Sequence, residues 1–195
     1  MVQRSRVLAL LPLALLALAC RSASAPSAAP AVATAEPREA PSILGPTTRE
    51  AIEAAEPEWV ASEVASEVDP EAARALAAVA PGAEVTVYLG TWCSDSRREL
   101  ARLWRAIDEA GGEVPFDLVY LAVDRGDRRP PELARDVGLR FVPTFIVRRD
   151  GRELGRMVEV SPHGIERDLG ALHSGAVTGV VSARTDLGGG EAPAP

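Results

Sequence analysis

Two short apolar runs do most to fix what this chain can become. Glu84 to Leu89 reads Glu-Val-Thr-Val-Tyr-Leu, rich in β-branched and aromatic residues, and Phe116 to Val123 is nearly continuous in apolar side chains. Runs of this type are strands buried on both faces. Between them, Leu100, Leu103, Trp104 and Ile107 recur at the spacing of one helix face. Strands linked through a helix run parallel, since a hairpin joins only antiparallel neighbours. An α/β architecture follows.

The flanking segments extend it. Thr47 or Thr48 caps a short helix through Ala55, with Glu50 in its first turn, where the helix dipole favours an anion. Glu58 to Val68 places Trp59, Val60, Val64 and Val68 at helical spacing, but its valines and Pro57 also suit an extended piece; the sequence leaves both open. Asp69-Pro70 opens a helix that ends before Pro81-Gly82, and Gly111-Gly112 stops the long helix after Trp104. A short helix is expected from Pro131 to Val137. Phe145-Ile146-Val147 and Glu153 to Val160 flank Arg149-Asp150-Gly151-Arg152, a hairpin turn, and Ser161-Pro162 opens a last helix to about Leu172. The whole is one domain over residues 47–172: a sandwich with a central mixed β-sheet flanked by helices.

Charge removes several function classes. The net charge is −7, unsuited to a nucleic-acid backbone, and all 21 residues of the Lys+Arg total are arginine. Schiff-base chemistry and a phosphate-loop lysine are thereby excluded. No glycine-rich nucleotide loop, Ser-His-Asp order or deaminase motif is present, so no cofactor is implied. His163 and His173, near the two ends of the last helix, lack a third ligand at metal spacing, which leaves no metal site and makes both solvent-exposed histidines by default. Arg125, Asp127, Arg128 and Arg129 read as a solvated loop.

The N-terminus reads as a targeting segment over residues 1–19. Arg4 and Arg6 precede an apolar run from Val7 to Ala19 that is shorter than the roughly 20 residues a membrane-spanning helix needs. Leu16-Ala17-Leu18-Ala19-Cys20 resembles the lipobox of bacterial lipoproteins, although Ala17 stands where that motif has leucine. The resemblance implies acylation of Cys20, and an exported, membrane-anchored protein facing the periplasm or the cell exterior; the alternative is an ordinary secreted chain cut near Ala19 or within the following Ala/Ser stretch. Residues 20–46 then form an Ala/Pro/Ser-rich tether unable to build a core. Residues 173–195 form a C-terminal segment, read as disordered from Ser182 onward, with its Gly188-Gly189-Gly190 run and Ala-Pro repeats.

Cys93 is the residue most suited to chemistry. It lies where the first buried strand hands over to the long helix, close to unpaired backbone N–H groups and the positive end of the helix dipole, with Arg97 and Arg98 in the first turns. Such places favour a reactive thiolate, and Asp95 works against it. Trp104 is read as core, and Trp92 as a rim residue that shields the sulfur or meets a partner.

The stretch Thr91-Trp92-Cys93-Ser94-Asp95-Ser96, with Val142-Pro143-Thr144 and the Asp150-Gly151 hairpin further on, resembles the thioredoxin superfamily, and the likeness covers residues 70–172. It implies a thioredoxin-like sandwich, Cys93 as the attacking cysteine beside Trp92, Pro143 as a cis-proline facing it, and Val142 and Thr144 as the place where a partner chain docks. Ser96 stands where that family has its resolving cysteine. Val87 stands where it has a buried carboxylate, and Glu159, at a position commonly glycine, or Asp95 becomes the substitute acid/base. The string Trp-Cys-Ser-Asp-Ser is similar to a thioredoxin-like subgroup of bacterial envelopes. What the resemblance implies is thiol-disulfide exchange through one cysteine with protein thiols or disulfides of the envelope, as a reductase, isomerase or carrier. The alternative is a thioredoxin-fold binding or assembly module without redox turnover.

Overall fold

A computed structural model of the chain describes residues 43–125 and 136–187. In chain order these form β1 (Gly45–Thr47), α1 (Arg49–Ala55), α2 (Pro57–Val64), α3 (Pro70–Ala77), β2 (Ala83–Leu89), α4 (Ser94–Glu109), β3 (Phe116–Ala122), β4 (Thr144–Arg149), β5 (Arg152–Val158), α5 (Ile165–Ser174) and β6 (Gly179–Val181). The strands make one six-stranded sheet in the order β1-β3-β2-β4-β5-β6. β2 pairs parallel with β3 and antiparallel with β4, so the expected α/β fold with a mixed central sheet is the one observed.

Local chemistry sets the boundaries. The Asp69 carboxylate accepts the N–H groups of Glu71 (2.9 Å) and Ala72 (3.2 Å) and caps α3, whose first residue is Pro70. Thr48, the second of the two candidates, caps α1. The segment left open resolves as helix α2, with Pro57 in its first turn, where a missing N–H costs nothing. At the β4–β5 turn Asp150 (φ 52°) and Gly151 (φ 74°) both take left-handed backbone, as a tight hairpin requires.

Alternation along β2 and β4 divides the sheet. Val85, Val87, Leu89, Phe145 and Val147 point into the main core with Trp59, Leu100, Leu103, Trp104 and Leu169 from the helices. Each large side chain buried there contributes about 1.5–3 kcal/mol. Trp104 is core as expected; its indole N–H donates to the Tyr120 hydroxyl (2.9 Å) and its ring centroid lies 5.6 Å from that of Trp59. Tyr88 and Ile146 point the other way, into a smaller cluster with Val123, Leu139 and Val142.

Several expectations need correction. β5 ends at Val158, two residues early, because Glu159 turns into left-handed backbone. β1 and β6 escape the sequence reading: each has three residues, too few for any periodicity, and pairs through backbone alone. The tail read as disordered from Ser182 is placed through Leu187, where residues Thr185–Leu187 form a 3₁₀ turn held by side chains described below. His173 is not exposed; it is 3% exposed, with its ring 4.5 Å from that of Phe116. Its spacing from Ile165, Leu169 and Leu172 puts it on the face of α5 that turns inward, a signal that the default of exposure overlooked. The expected helix from Pro131 to Val137 falls mainly on residues 126–135, outside the described residues, as does Cys20.

Candidate functional site

The loop from Gly90 to Cys93 turns β2 into α4. Cys93 takes extended backbone (φ −98°, ψ 121°) as the N-cap of α4, and its N–H donates to the Gly90 carbonyl at 2.9 Å. The half-buried Sγ faces the Val142 carbonyl at 3.4 Å, a contact in which the thiol donates. The Val142-Pro143 peptide is cis, so the sulfur faces a loop with a cis-proline.

The neighbours of Cys93 hold this corner. Ser96 is fully buried, and its hydroxyl accepts the Gly90 N–H at 3.2 Å, closing the strand-to-helix turn from within. The side chain standing at the resolving position is therefore a structural tie. Gly90 has a steric reason: a Cβ there would come within 2.5 Å of the Trp92 indole. Trp92 lies half-buried with its indole N–H donating to the Val123 carbonyl (3.0 Å), and the Arg125 guanidinium lies 4.8 Å above its ring. Arg125, read as part of a solvated loop, thus covers the tryptophan at the rim.

The charged groups expected to act on the sulfur are engaged elsewhere. Arg97 pairs with Glu58, and Arg98 reaches Asp95 (2.9 Å) and Glu99 (3.1 Å). Glu99 is 4% exposed, and burial raises its carboxyl above the usual range against the pull of Arg98. Val87 is fully buried between Tyr120 of β3 and Phe145 of β4, so an apolar side chain fills the position of the family's carboxylate.

On the cis-proline side, Thr144 is buried and donates its hydroxyl to the Phe141 carbonyl (2.8 Å), and Val142 is 5% exposed within the smaller cluster. Neither side chain offers itself to a partner; what the loop presents is backbone. Glu159 sits beside it with φ 58°, the left-handed backbone that favours glycine, and its N–H donates to the Pro143 carbonyl at 2.8 Å. Its carboxylate is taken by Arg184 (2.7 Å), which also pairs with Asp186 (2.8 Å) and lies 4.2 Å above the Phe141 ring. Asp186 first and Glu159 second hold the Arg184 guanidinium above its ordinary range. Arg184 and Phe141 are rim residues that sequence reading missed; the Arg184–Glu159 pair spans 25 residues and has no local signal.

No family model matches the chain. Among solved structures it is similar to a protein of unknown function from Pseudomonas aeruginosa (18% identity, 64% of this chain and 75% of that one, TM-score 0.43). It is also similar to a thioredoxin from Aeropyrum pernix (18% identity, 53% and 82% covered, TM-score 0.33). A yeast mitochondrial 1-Cys peroxiredoxin is a third (21% identity, 52% and 87% covered, TM-score 0.33). The fold is thioredoxin-like. That statement stands on the strand order, the parallel β2–β3 pair and the cis-proline loop opposite Cys93.

Proposed function

We propose that this is an exported thioredoxin-like protein, anchored through an acylated Cys20, that exchanges thiols and disulfides through Cys93 alone. The observation that carries the reading is a half-buried sulfur at the N-cap of α4, facing the Val142 carbonyl beside Pro143, with a serine hydroxyl where a second thiol would lie. The Cys93 thiolate attacks one sulfur of a partner disulfide. A new S–S bond forms as the old one breaks, and the partner's other sulfur leaves as a thiolate that takes a proton from water. Ser96 has no sulfur to displace the partner, so the mixed disulfide lasts until a second thiol, of the glutathione type or from another protein, attacks it and regenerates Cys93. Disulfide partners of this kind persist outside the cytoplasm. Trp92 under Arg125 and the rim of Phe141, Arg184 and Glu159 frame the approach, and Glu159, once released from Arg184, or Asp95, once released from Arg98, serves as the acid/base.

The test is capture. Incubated with glutathione disulfide and with a disulfide-scrambled protein, the chain forms an adduct at Cys93 that mass spectrometry locates, free thiol releases and Cys93→Ser lacks. If no adduct forms with either, the exchange reading is abandoned. A second reading, a binding or assembly module, is favoured by buried Val87 and by the commitment of Sγ to a carbonyl. Unreactive Cys93 in a domain that still binds an envelope protein selects it.

A further inference from the structure

Parallel pairing sets Leu89 of β2 opposite Ala122 of β3, so the residues that follow the two strands emerge side by side at one end of the sheet. Cys93 follows β2 and Arg125 follows β3. The Val123 N–H donates to the Leu89 carbonyl at 2.8 Å, and the Val123 carbonyl takes the Trp92 indole N–H, which fixes the ring on which the Arg125 guanidinium rests. Nη2 of that guanidinium also donates to the Trp92 carbonyl at 3.4 Å. The oxygen belongs to the peptide that joins Trp92 to Cys93, so the guanidinium stands within about 9 Å of Sγ.

Three other arginines of this end are neutralised pair by pair. Arg97 has Glu58, Arg98 has Asp95 and Glu99, and Arg184 has Glu159 and Asp186. Arg125 differs. Its guanidinium meets the ring and the carbonyl of Trp92 and, among the described residues, no carboxylate; the neighbouring Asp124 carboxylate accepts the Arg125 backbone N–H instead, at 2.8 Å. Elsewhere the arginines are too distant to matter to the sulfur. A hollow of about 640 Å³ lies between α3 and α5, lined by Ala72 and Ala75 from α3, Gly170 from α5, and Arg149. Arg149 lies opposite Ala83 at the start of β2, about 20 Å from Cys93 at 3.3 Å per strand residue, which is about two screening lengths at physiological salt. Its Nε and both ring nitrogens of the neighbouring His173 are sealed from solvent.

We propose, on the basis of the exchange reading above, that Arg125 selects the disulfides that Cys93 attacks and favours a partner with an acidic residue beside its disulfide. A carboxylate of the approaching chain pairs with the guanidinium N–H groups that the Trp92 carbonyl does not take, while Cys93 bonds to one sulfur and the other leaves as a thiolate. The exposed guanidinium is already held against the indole, so little side-chain freedom is lost on contact. An ammonium group in the same place is repelled. An effect of Arg125 on the thiolate itself would speed every disulfide alike, whereas selection changes the ratio between them.

Dithiodipropionate, hydroxyethyl disulfide and cystamine are small disulfides of similar size that carry carboxylate, neutral and ammonium ends. The full chain is incubated with each near neutral pH at low salt, the adduct at Cys93 is followed by peptide mass spectrometry, and each rate is divided by that of mercaptoethanol with the same disulfide. Dithiodipropionate leads cystamine by about fivefold or more, with hydroxyethyl disulfide between them, and the lead shrinks in about 0.5 M salt. Arg125→Gln brings the normalised rates together, and Arg125→Lys, which keeps the charge, retains part of the preference. Equal normalised rates in the unaltered protein, a preference that Arg125→Gln leaves in place, or a slowing of all three by one factor in that variant overturns selection by Arg125 and leaves exchange standing. No adduct with any of the three overturns the exchange reading and the selection with it.

Discussion

The two ends of β2 treat their polar groups differently. At the thiol end the Gly90 N–H, the Trp92 indole, the Cys93 thiol and the Ser96 hydroxyl are all paired within the loop or across to Val123 and Val142, and among the described buried side chains of this loop the Thr91 hydroxyl lacks a partner. At the other end His173 and the Arg149 Nε are buried and unpaired. The first arrangement holds one sulfur in a fixed place, with all but one of these buried groups paired. The second seals polar nitrogens in the interior without a partner. A tied corner around a sulfur and a dry pocket of unpaired nitrogens are thus built on the same sheet, distinguished by how far their hydrogen bonds close internally.

The sharpest way to break the first half of that contrast is Gly90→Ala. Its Cβ meets the Trp92 ring, which must leave its place under Arg125 and its bond to Val123. A loss of about 1–3 kcal/mol on denaturant unfolding is expected, together with faster alkylation of the uncovered Cys93. Unchanged stability would mean that Trp92 is not locked.

His173 tests the other end through pH. Its folded value near 4 lies below the unfolded value near 6.5, so the unfolded chain takes up the proton first as pH falls. Its contribution is intact above about pH 6.5, is lost progressively down to about pH 4, and changes no further below that. His173→Phe removes this component, and the gap between the two stability-against-pH curves amounts to on the order of 3 kcal/mol at pH 4. Parallel curves would show that the imidazole is not held dry.

How much of this contrast could be read from sequence differs between the ends. The thiol end was legible, because Cys93 follows a β-branched strand and opens an amphipathic helix, and the resemblance to thioredoxins implied a cis-proline at Pro143 opposite it. The hollow was not. It arises from the packing of Ala72 and Ala75 against Gly170, residues that look like ordinary helix filler, and the burial of His173 depends on which way α5 faces. Ser96 was legible as a missing cysteine but not as a tie to Gly90, since a serine early in a helix commonly bonds to local backbone. Edge strands β1 and β6 and the Arg184–Glu159 pair depend on contacts that short-range pattern does not carry.

Smaller effects sharpen the picture. Ser96→Ala leaves the buried Gly90 N–H without its acceptor and costs about 1 kcal/mol or somewhat more, measured by urea unfolding. Arg184→Ala frees the Glu159 carboxylate with little change in stability, because the pair is partly solvated. If Glu159 serves Cys93, the pH profile of alkylation moves in this variant; an unmoved profile removes Glu159 from the chemistry.

The placement of β1 bears on how the domain is held. Gly45 lies opposite Ala122, and Leu89, the last residue before the thiol loop, lies opposite that same Ala122. The polypeptide therefore enters the sheet at the end that carries Cys93. The first described strand and the thiol loop thus share one end of the sheet, while Arg149 and the hollow it lines lie at the other.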